Sequence, residues 1–262
     1  VDTFFFIGCR RSGTTALRRI LNAHPKVYCS FESGIMYILK NMYDGGNVDS
    51  AWRSVSNWAH TDQTFRYARD VFVDYAMCDK GLSATRSAFF RAIDFCIAGM
   101  TKYEGDQSGE FLAIGEKDPA EYSDPDMNKF LLRVHPDAKF IHLVRHPHGF
   151  ARSSNFHGTV YHRRDIKNRG RDPYELWENN EMLALEAEKR APSIRIRYED
   201  LCENPAFWVK KIYDFLVPET SKDVILDGIS LVGTNGNIKY GKLHIPDGYD
   251  DLHEIASIYG YE

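Results

Sequence analysis

Thr3-Phe4-Phe5-Phe6-Ile7-Gly8-Cys9-Arg10-Arg11-Ser12-Gly13-Thr14-Thr15 is the stretch on which the fold turns. Its first five residues form a short apolar, aromatic-rich run closed by glycine, the pattern of a buried strand. Ala16-Leu17-Arg18-Arg19-Ile20-Leu21 then supplies good helix formers. A strand, a glycine-bearing loop and a helix start together aim backbone N–H groups and the positive end of a helix dipole at an anion. The spacing from Gly8 to Gly13 is that of a P-loop, yet Thr14 stands where a P-loop NTPase carries its lysine. Positive charge comes from inside the loop instead, from Arg10 and Arg11.

Beyond the first helix, His24-Pro25 is a stop, because proline disfavours helix at the residue before it. Lys26 to Cys29 reads as a second strand, with Phe31-Glu32-Ser33 at its carboxyl end. The block from about 35 to 101 is expected to be helical, with Phe65, Arg69, Phe72 and Tyr75, and again Phe89, Ile93 and Ile97, at helical spacing. Glu110 to Gly115 predicts a third strand that delivers Glu116-Lys117-Asp118-Pro119. Asp124-Pro125 predicts a helix cap and first turn. Lys139 to Val144 has the apolar content of a central parallel strand, ending in Arg145-His146-Pro147. Asp172-Pro173 and Asn204-Pro205 predict two more capped helices, the second with Phe207, Ile212, Phe215 and Leu216 turned inward. Ser193 to Tyr198 alternates like a strand. Strands alternating with helices imply one α/β domain over residues 1–262, with a mostly parallel sheet flanked by helices.

Composition narrows the function. A chain of 262 residues, 43% hydrophobic and with net charge −4, is long enough for a sizeable core and gives no support to a general nucleic-acid binder. Five cysteines without CxxC spacing argue against a zinc site and favour a reducing, cytoplasmic setting. No run is long enough to insert in a membrane. The sequence opens at Val1 directly before a strand, so a preceding leader, anchor or domain, and with it a secretory-pathway lumen, stays open.

In a parallel sheet, ligands bind beyond the carboxyl ends of the strands. Arg10 to Thr15, Glu32, Glu116-Lys117-Asp118, Arg145 and Tyr198 then share one rim, a transferase-like set of loop, carboxylates and cations. A metal-dependent nucleotide kinase would need a carboxylate after the Lys139–Val144 strand, where Arg145 and His146 stand instead. A less charged transferred group, such as sulfuryl, is manageable with amides and side-chain cations alone.

Phe6-Ile7-Gly8, Arg11 to Thr15 and His24-Pro25 resemble the 5′-phosphosulfate loop of sulfotransferases that use 3′-phosphoadenosine 5′-phosphosulfate, PAPS. Lys139 to Pro147, with Ser153 eight residues after Arg145, resembles their 3′-phosphate motif, and Arg197-Tyr198-Glu199-Asp200-Leu201 a later strand end. The resemblance covers about Phe4 to Leu201, and the closing Ile258 to Glu262 is also similar. It implies the P-loop NTPase-like sulfotransferase fold, PAPS as donor, 3′-phosphoadenosine 5′-phosphate (PAP) as product, and no metal. Arg11 matches the basic residue on the 5′-phosphate and sulfuryl group, and Ser12, Gly13, Thr14 and Thr15 match the cradle. Arg145 and Ser153 match the 3′-phosphate ligands, a guanidinium and a hydroxyl suited to phosphate. Tyr198 is placed near the nucleotide or in the core, Arg10 on the donor or in solvent, and Lys239 on a second phosphate loop or in solvent.

The pattern around Glu32 and Lys117 is nearest the tyrosylprotein and glycan branch, which makes Glu32 the expected base and Lys117 a cation on the sulfuryl oxygens. That branch's arginine soon after the glutamate is absent, since Gly34 follows Ser33. An ordinary salt-bridged Glu32 is the alternative, with His142 and His157 as reserve bases. A binding module without chemistry also stays open. The acceptor (peptide tyrosine, carbohydrate or small-molecule alcohol) and the oligomeric state are unread. The helical block and the segment from His157 to Arg171 are the expected acceptor-side walls; the basic residues from Arg163 to Arg171 suit an acidic acceptor or form a solvated basic loop.

Overall fold

A computed structural model describes residues 1–55, 61–104, 110–156, 172–233 and 249–261. The sheet holds five parallel strands in the order β2-β3-β1-β4-β5: β1 Asp2–Ile7, β2 Val27–Phe31, β3 Ala113–Lys117, β4 Lys139–Val144 and β5 Ser193–Arg197. The helices are α1 Thr14–Asn22, α2 Ile35–Tyr43, α3 Val48–Val55, α4 Thr61–Ala76, α5 Leu82–Glu104, α6 Pro119–Ser123, α7 Pro125–Val134 and α8 Pro147–Phe156. They continue as α9 Pro173–Glu188, α10 Tyr198–Glu203, α11 Pro205–Leu216, α12 Lys222–Ser230 and α13 Asp250–Ile258.

β1 is central because it can be buried on both faces. Side chains alternate across a strand, so Phe5 and Ile7 join a core with α2 to α5 and α7, while Phe4 and Phe6 pack with α1 and α11 on the other side. Helices on both faces are what an all-parallel sheet requires. Its C-terminal end lies at the topological switch of the sheet. From β1 the chain passes to β2 on one side; from β4, the neighbour of β1, it passes to β5 on the other. The crevice between the ends of β1 and β4 is therefore the expected ligand position.

The predicted caps form as read. Asp124 accepts from the Asp126 and Met127 amides, Asp172 from those of Tyr174 and Glu175, and Asn204 from that of Phe207. Three boundaries differ. β3 begins at Ala113 rather than Glu110, because its pairing with β1 starts at Asp2↔Ala113, so Glu116 and Lys117 lie inside the strand. β2 extends to Phe31. Tyr198 opens α10 instead of closing β5. Phe207 is 53% exposed, against the inward position expected of it, because it sits in the first turn of α11 off the Val209–Ile212–Leu216 stripe. Among the described residues, no helix is long and apolar enough to cross a membrane.

Candidate active site

The loop from Gly8 to Gly13 enters the crevice from β1 and starts α1. Gly13 is the N-cap with φ 96° and makes no side-chain cap bond; its carbonyl accepts from the Ala16 and Leu17 amides, and it offers no side-chain acceptor to those of Thr14 and Thr15. A methyl on Gly13 would lie 2.4 Å from the Tyr198 ring, which closes against the loop from the start of α10. The Arg145 guanidinium lies over the same ring, 4.8 Å from its centroid, and Nη1 donates to the Arg11 carbonyl at 3.4 Å. Loop, tyrosine and arginine thus form one stack. Ser12 is fully buried, and its hydroxyl has no hydrogen-bond partner among the described residues. A buried orphan hydroxyl in an anion-binding loop fits a phosphate oxygen as its missing acceptor.

On the other side of β1, β2 and β3 end in register, Phe31 beside Lys117. Lys117 Nζ meets Glu32 Oε1 at 2.5 Å and lies 4.2 Å from the centre of the Phe31 ring. The lysine side chain is 3% exposed and the glutamate 20%, so this is a largely desolvated cation with a carboxylate that still reaches solvent. Because the strands are parallel, pair and loop occupy the same edge of the sheet.

Arg10 is not solvated: Nη2 reaches Asp118 Oδ1 at 2.9 Å and Glu121 Oε1 at 2.5 Å. Burial, then the neighbouring Glu121, pushes the Asp118 carboxyl well above the usual range, with Arg10 opposing. The arginine ties the loop to the end of β3. The Gly8 amide, donating to Ser123 Oγ at 2.8 Å, ties it to α6. Beneath Gly8 lies His142, fully buried, with Nε2 and Nδ1 each 2.6 Å from a carboxylate, Glu181 and Glu188.

Residues 3–221 match the model of the sulfotransferase family. The chain belongs to that family. No curated protein sequence matches it significantly. Among solved structures it resembles the "Sulfotransferase Domain from the Curacin Biosynthetic Pathway", at 15% identity and TM-score 0.64, over 100% of this chain and 98% of that one. It likewise resembles the "Sulfotransferase Domain from the Synechococcus PCC 7002 Olefin Synthase", at 18% identity and TM-score 0.63, over 100% and 94%. At these identities the likeness speaks for the fold.

The fold brings together most of the residues singled out from the sequence. Arg11 to Thr15, Arg145 and Tyr198 surround the loop, while Glu32 and Lys117 pair on the adjoining strands. Thr14 is buried and Thr15 exposed; Ser153 is half-buried on α8. Lys239, His157 and the run from Arg163 to Arg171 lie outside the described residues. Glu116, Ser123 and Glu121 gain structural partners that no local pattern signals.

His142 is sealed, with both nitrogens engaged, which excludes it as a solvent-facing base. Burial opposes its charge, but Glu181 and Glu188 outweigh burial and raise its pKa from 6.5 to about 9. Glu188 moves the other way, to about 2, as Arg195 and His142 overcome its burial. A raised folded pKa means stability fully present below the unfolded value and lost as pH climbs through the folded one. The protein is therefore expected to lose on the order of 3 kcal/mol between neutral pH and about pH 10 through this group. Thermal melts across that range check it. His142→Gln is expected to start less stable and to lack most of the alkaline slope; equal slopes in both proteins would exclude His142 as the source.

Proposed function

We propose that this sulfotransferase uses PAPS as donor and transfers its sulfuryl group to an acceptor hydroxyl or amine without a metal. The observation that carries the reading is the buried Lys117 paired with a partly exposed Glu32, on the same rim as the loop whose Ser12 hydroxyl lacks an acceptor among the described residues. Ser12, Gly13, Thr14 and Thr15 cradle the 5′-phosphate with backbone N–H groups and hydroxyls, and Arg11 adds charge. Arg145, braced on Tyr198, and Ser153 take the 3′-phosphate. Arg10, held by Asp118 and Glu121, acts on the donor only through the shape of the loop.

Glu32 takes the proton of the acceptor group as its oxygen or nitrogen attacks sulfur. The bond from sulfur to the donor's phosphate oxygen breaks, and its electron pair leaves with PAP. Lys117 and Arg11 stabilise the negative charge that grows during that displacement. Donor and acceptor held in line supply the remainder of the rate. Peptide tyrosines, carbohydrates and small-molecule alcohols are the acceptor classes to be screened.

Calorimetric titration with PAP and with ATP, each with and without Mg²⁺, tests the donor assignment. Metal-independent binding of PAP in preference to ATP is the expected result. Mg²⁺-dependent ATP binding, or no binding of PAP, overturns it. Transfer of radiolabelled sulfuryl from PAPS across the acceptor panel then separates an enzyme from a module that only binds the nucleotide.

A further inference from the structure

The three residues between β2 and α2 are held in a costly conformation. Glu32 has φ 42° and Gly34 φ 67°, both in the left-handed region. A non-glycine residue there costs roughly 1–2 kcal/mol, and such strain persists only where surrounding contacts over-determine it. The neighbouring strand supplies those contacts. The Glu32 amide donates to the Lys117 carbonyl at 3.1 Å. Ser33 Oγ donates to Glu116 Oε1, and the Ile35 amide reaches the same oxygen at 3.1 Å. Ser30 Oγ, 3.2 Å from Ser33 Oγ, continues the chain of bonds into β2.

Glu116 is an expensive way to fill its position. It is fully buried in a strand whose residues are all buried, and burial raises its carboxyl above the usual range, with Ser33 opposing. An apolar side chain would avoid that desolvation. Besides its interaction with the Tyr122 side chain, the carboxylate adds an oxygen that satisfies the first amide of α2, otherwise an orphan donor, and fixes the side chain immediately after Glu32. Consecutive strand residues point to opposite faces, so Lys117 meets the Glu32 side chain while Glu116 grips the turn from the other face.

We infer that Glu116 is a positioning residue for Glu32, holding the Glu32–Gly34 turn so that the Glu32 carboxylate stands at the reacting centre. The inference rests on the reading of Glu32 as the base. The test is a double-mutant cycle read by sulfuryl transfer, with PAP titration and melting as controls. Glu116→Ala is expected to lower kcat by about 10–100-fold, the cost of a misplaced catalytic group, with PAP affinity changed by less than about 3-fold. Glu116→Gln keeps an oxygen that can accept both bonds, and its kcat is expected within about 3-fold of wild type. In a Glu32→Gln background, Glu116→Ala is expected to cost almost nothing more, because it acts through a group already disabled.

Full additivity in the cycle overturns the positioning role, as does a Glu116→Gln variant as damaged as the alanine. Parallel losses of PAP affinity and kcat overturn it too, since they mark a general structural effect. Should Glu116→Ala fail to fold, Ser33→Ala removes one of the two bonds and is expected to lower kcat by about 3–10-fold, again only when Glu32 is present. Wild-type turnover by Glu32→Gln removes the base reading itself. A large Glu32→Gln loss with an additive Glu116→Ala removes only the positioning role.

Discussion

Glu32→Gln is expected to lower kcat for sulfuryl transfer by about 10²–10⁴-fold, the range typical of a lost general base, while PAP binds with near wild-type affinity. Glutamine keeps the length of the side chain and an oxygen for Lys117 Nζ, now 2.5 Å from the carboxylate. It cannot take the acceptor's proton. The loop from Gly8 to Gly13 stands on β1 and α1, on the far side of β3 from this carboxylate, so its geometry is untouched.

Stability answers differently. A cation 3% exposed depends on its partner, and removing one member of a buried pair is strongly destabilising. A lower melting temperature is therefore expected as well, and PAP titration establishes that the assayed protein is folded. Undiminished turnover in a folded variant would eliminate Glu32 as the base. His142 could not take over the role, because both of its nitrogens are held by buried or half-buried glutamates.

Much of this architecture is legible in the sequence because local chemistry and global position agree there. The run from Thr3 to Ile7 is apolar on both faces, which only a covered parallel strand tolerates, and it is the centre of the sheet. Asp124, Asp172 and Asn204 cap helices because each pairs a short polar acceptor with a proline at the first helical position. Lys139 to Val144 delivers Arg145 to the loop because β4 pairs with β1.

What escapes the sequence is pairing across long separations. Glu32 and Lys117 lie 85 residues apart, Arg10 and Asp118 lie 108 apart, and neither neighbourhood carries a mark of the other. Arg10 and Arg11 look equivalent in a row of letters. The loop turns through φ 71° at Arg11, and Arg10 ends on Asp118 and Glu121. The start of β3 was obscured because Glu110-Phe111-Leu112 has strand-like content, while the register with β1 begins only at Ala113. Glu116 is the strongest case: a carboxylate in a strand reads as a rim residue, and its buried role depends on Ser33 and Ile35.

Gly13→Ala is expected to weaken PAP binding by about 100-fold, equivalent to roughly 3 kcal/mol, through a methyl group that touches no ligand. Two costs combine. At φ 96° an alanine is strained, by about 1–3 kcal/mol for such conformations. Its Cβ would also fall 2.4 Å from the Tyr198 ring, so ring or loop must move. Between them the two movements reach both phosphate subsites of the proposed donor site. Shifting the loop displaces the Ser12 hydroxyl and the first amides of α1. Shifting the ring disturbs Arg145, which lies 4.8 Å over its face. Gly45→Ala is the control: φ is 99°, nothing lies within 4 Å, and it sits between α2 and α3. It carries comparable backbone strain without the collision, and PAP affinity is expected to stay at the wild-type level. Tyr198→Ala alone is expected to weaken PAP binding, because it removes the ring under Arg145; in that background Gly13→Ala keeps its strain but has no collision, so its further cost is expected to fall to about 10-fold. Wild-type PAP affinity in Gly13→Ala alone would place the donor away from this loop. An undiminished cost of about 100-fold for Gly13→Ala in the Tyr198→Ala background would assign the loss to backbone strain rather than to the packing of loop against tyrosine.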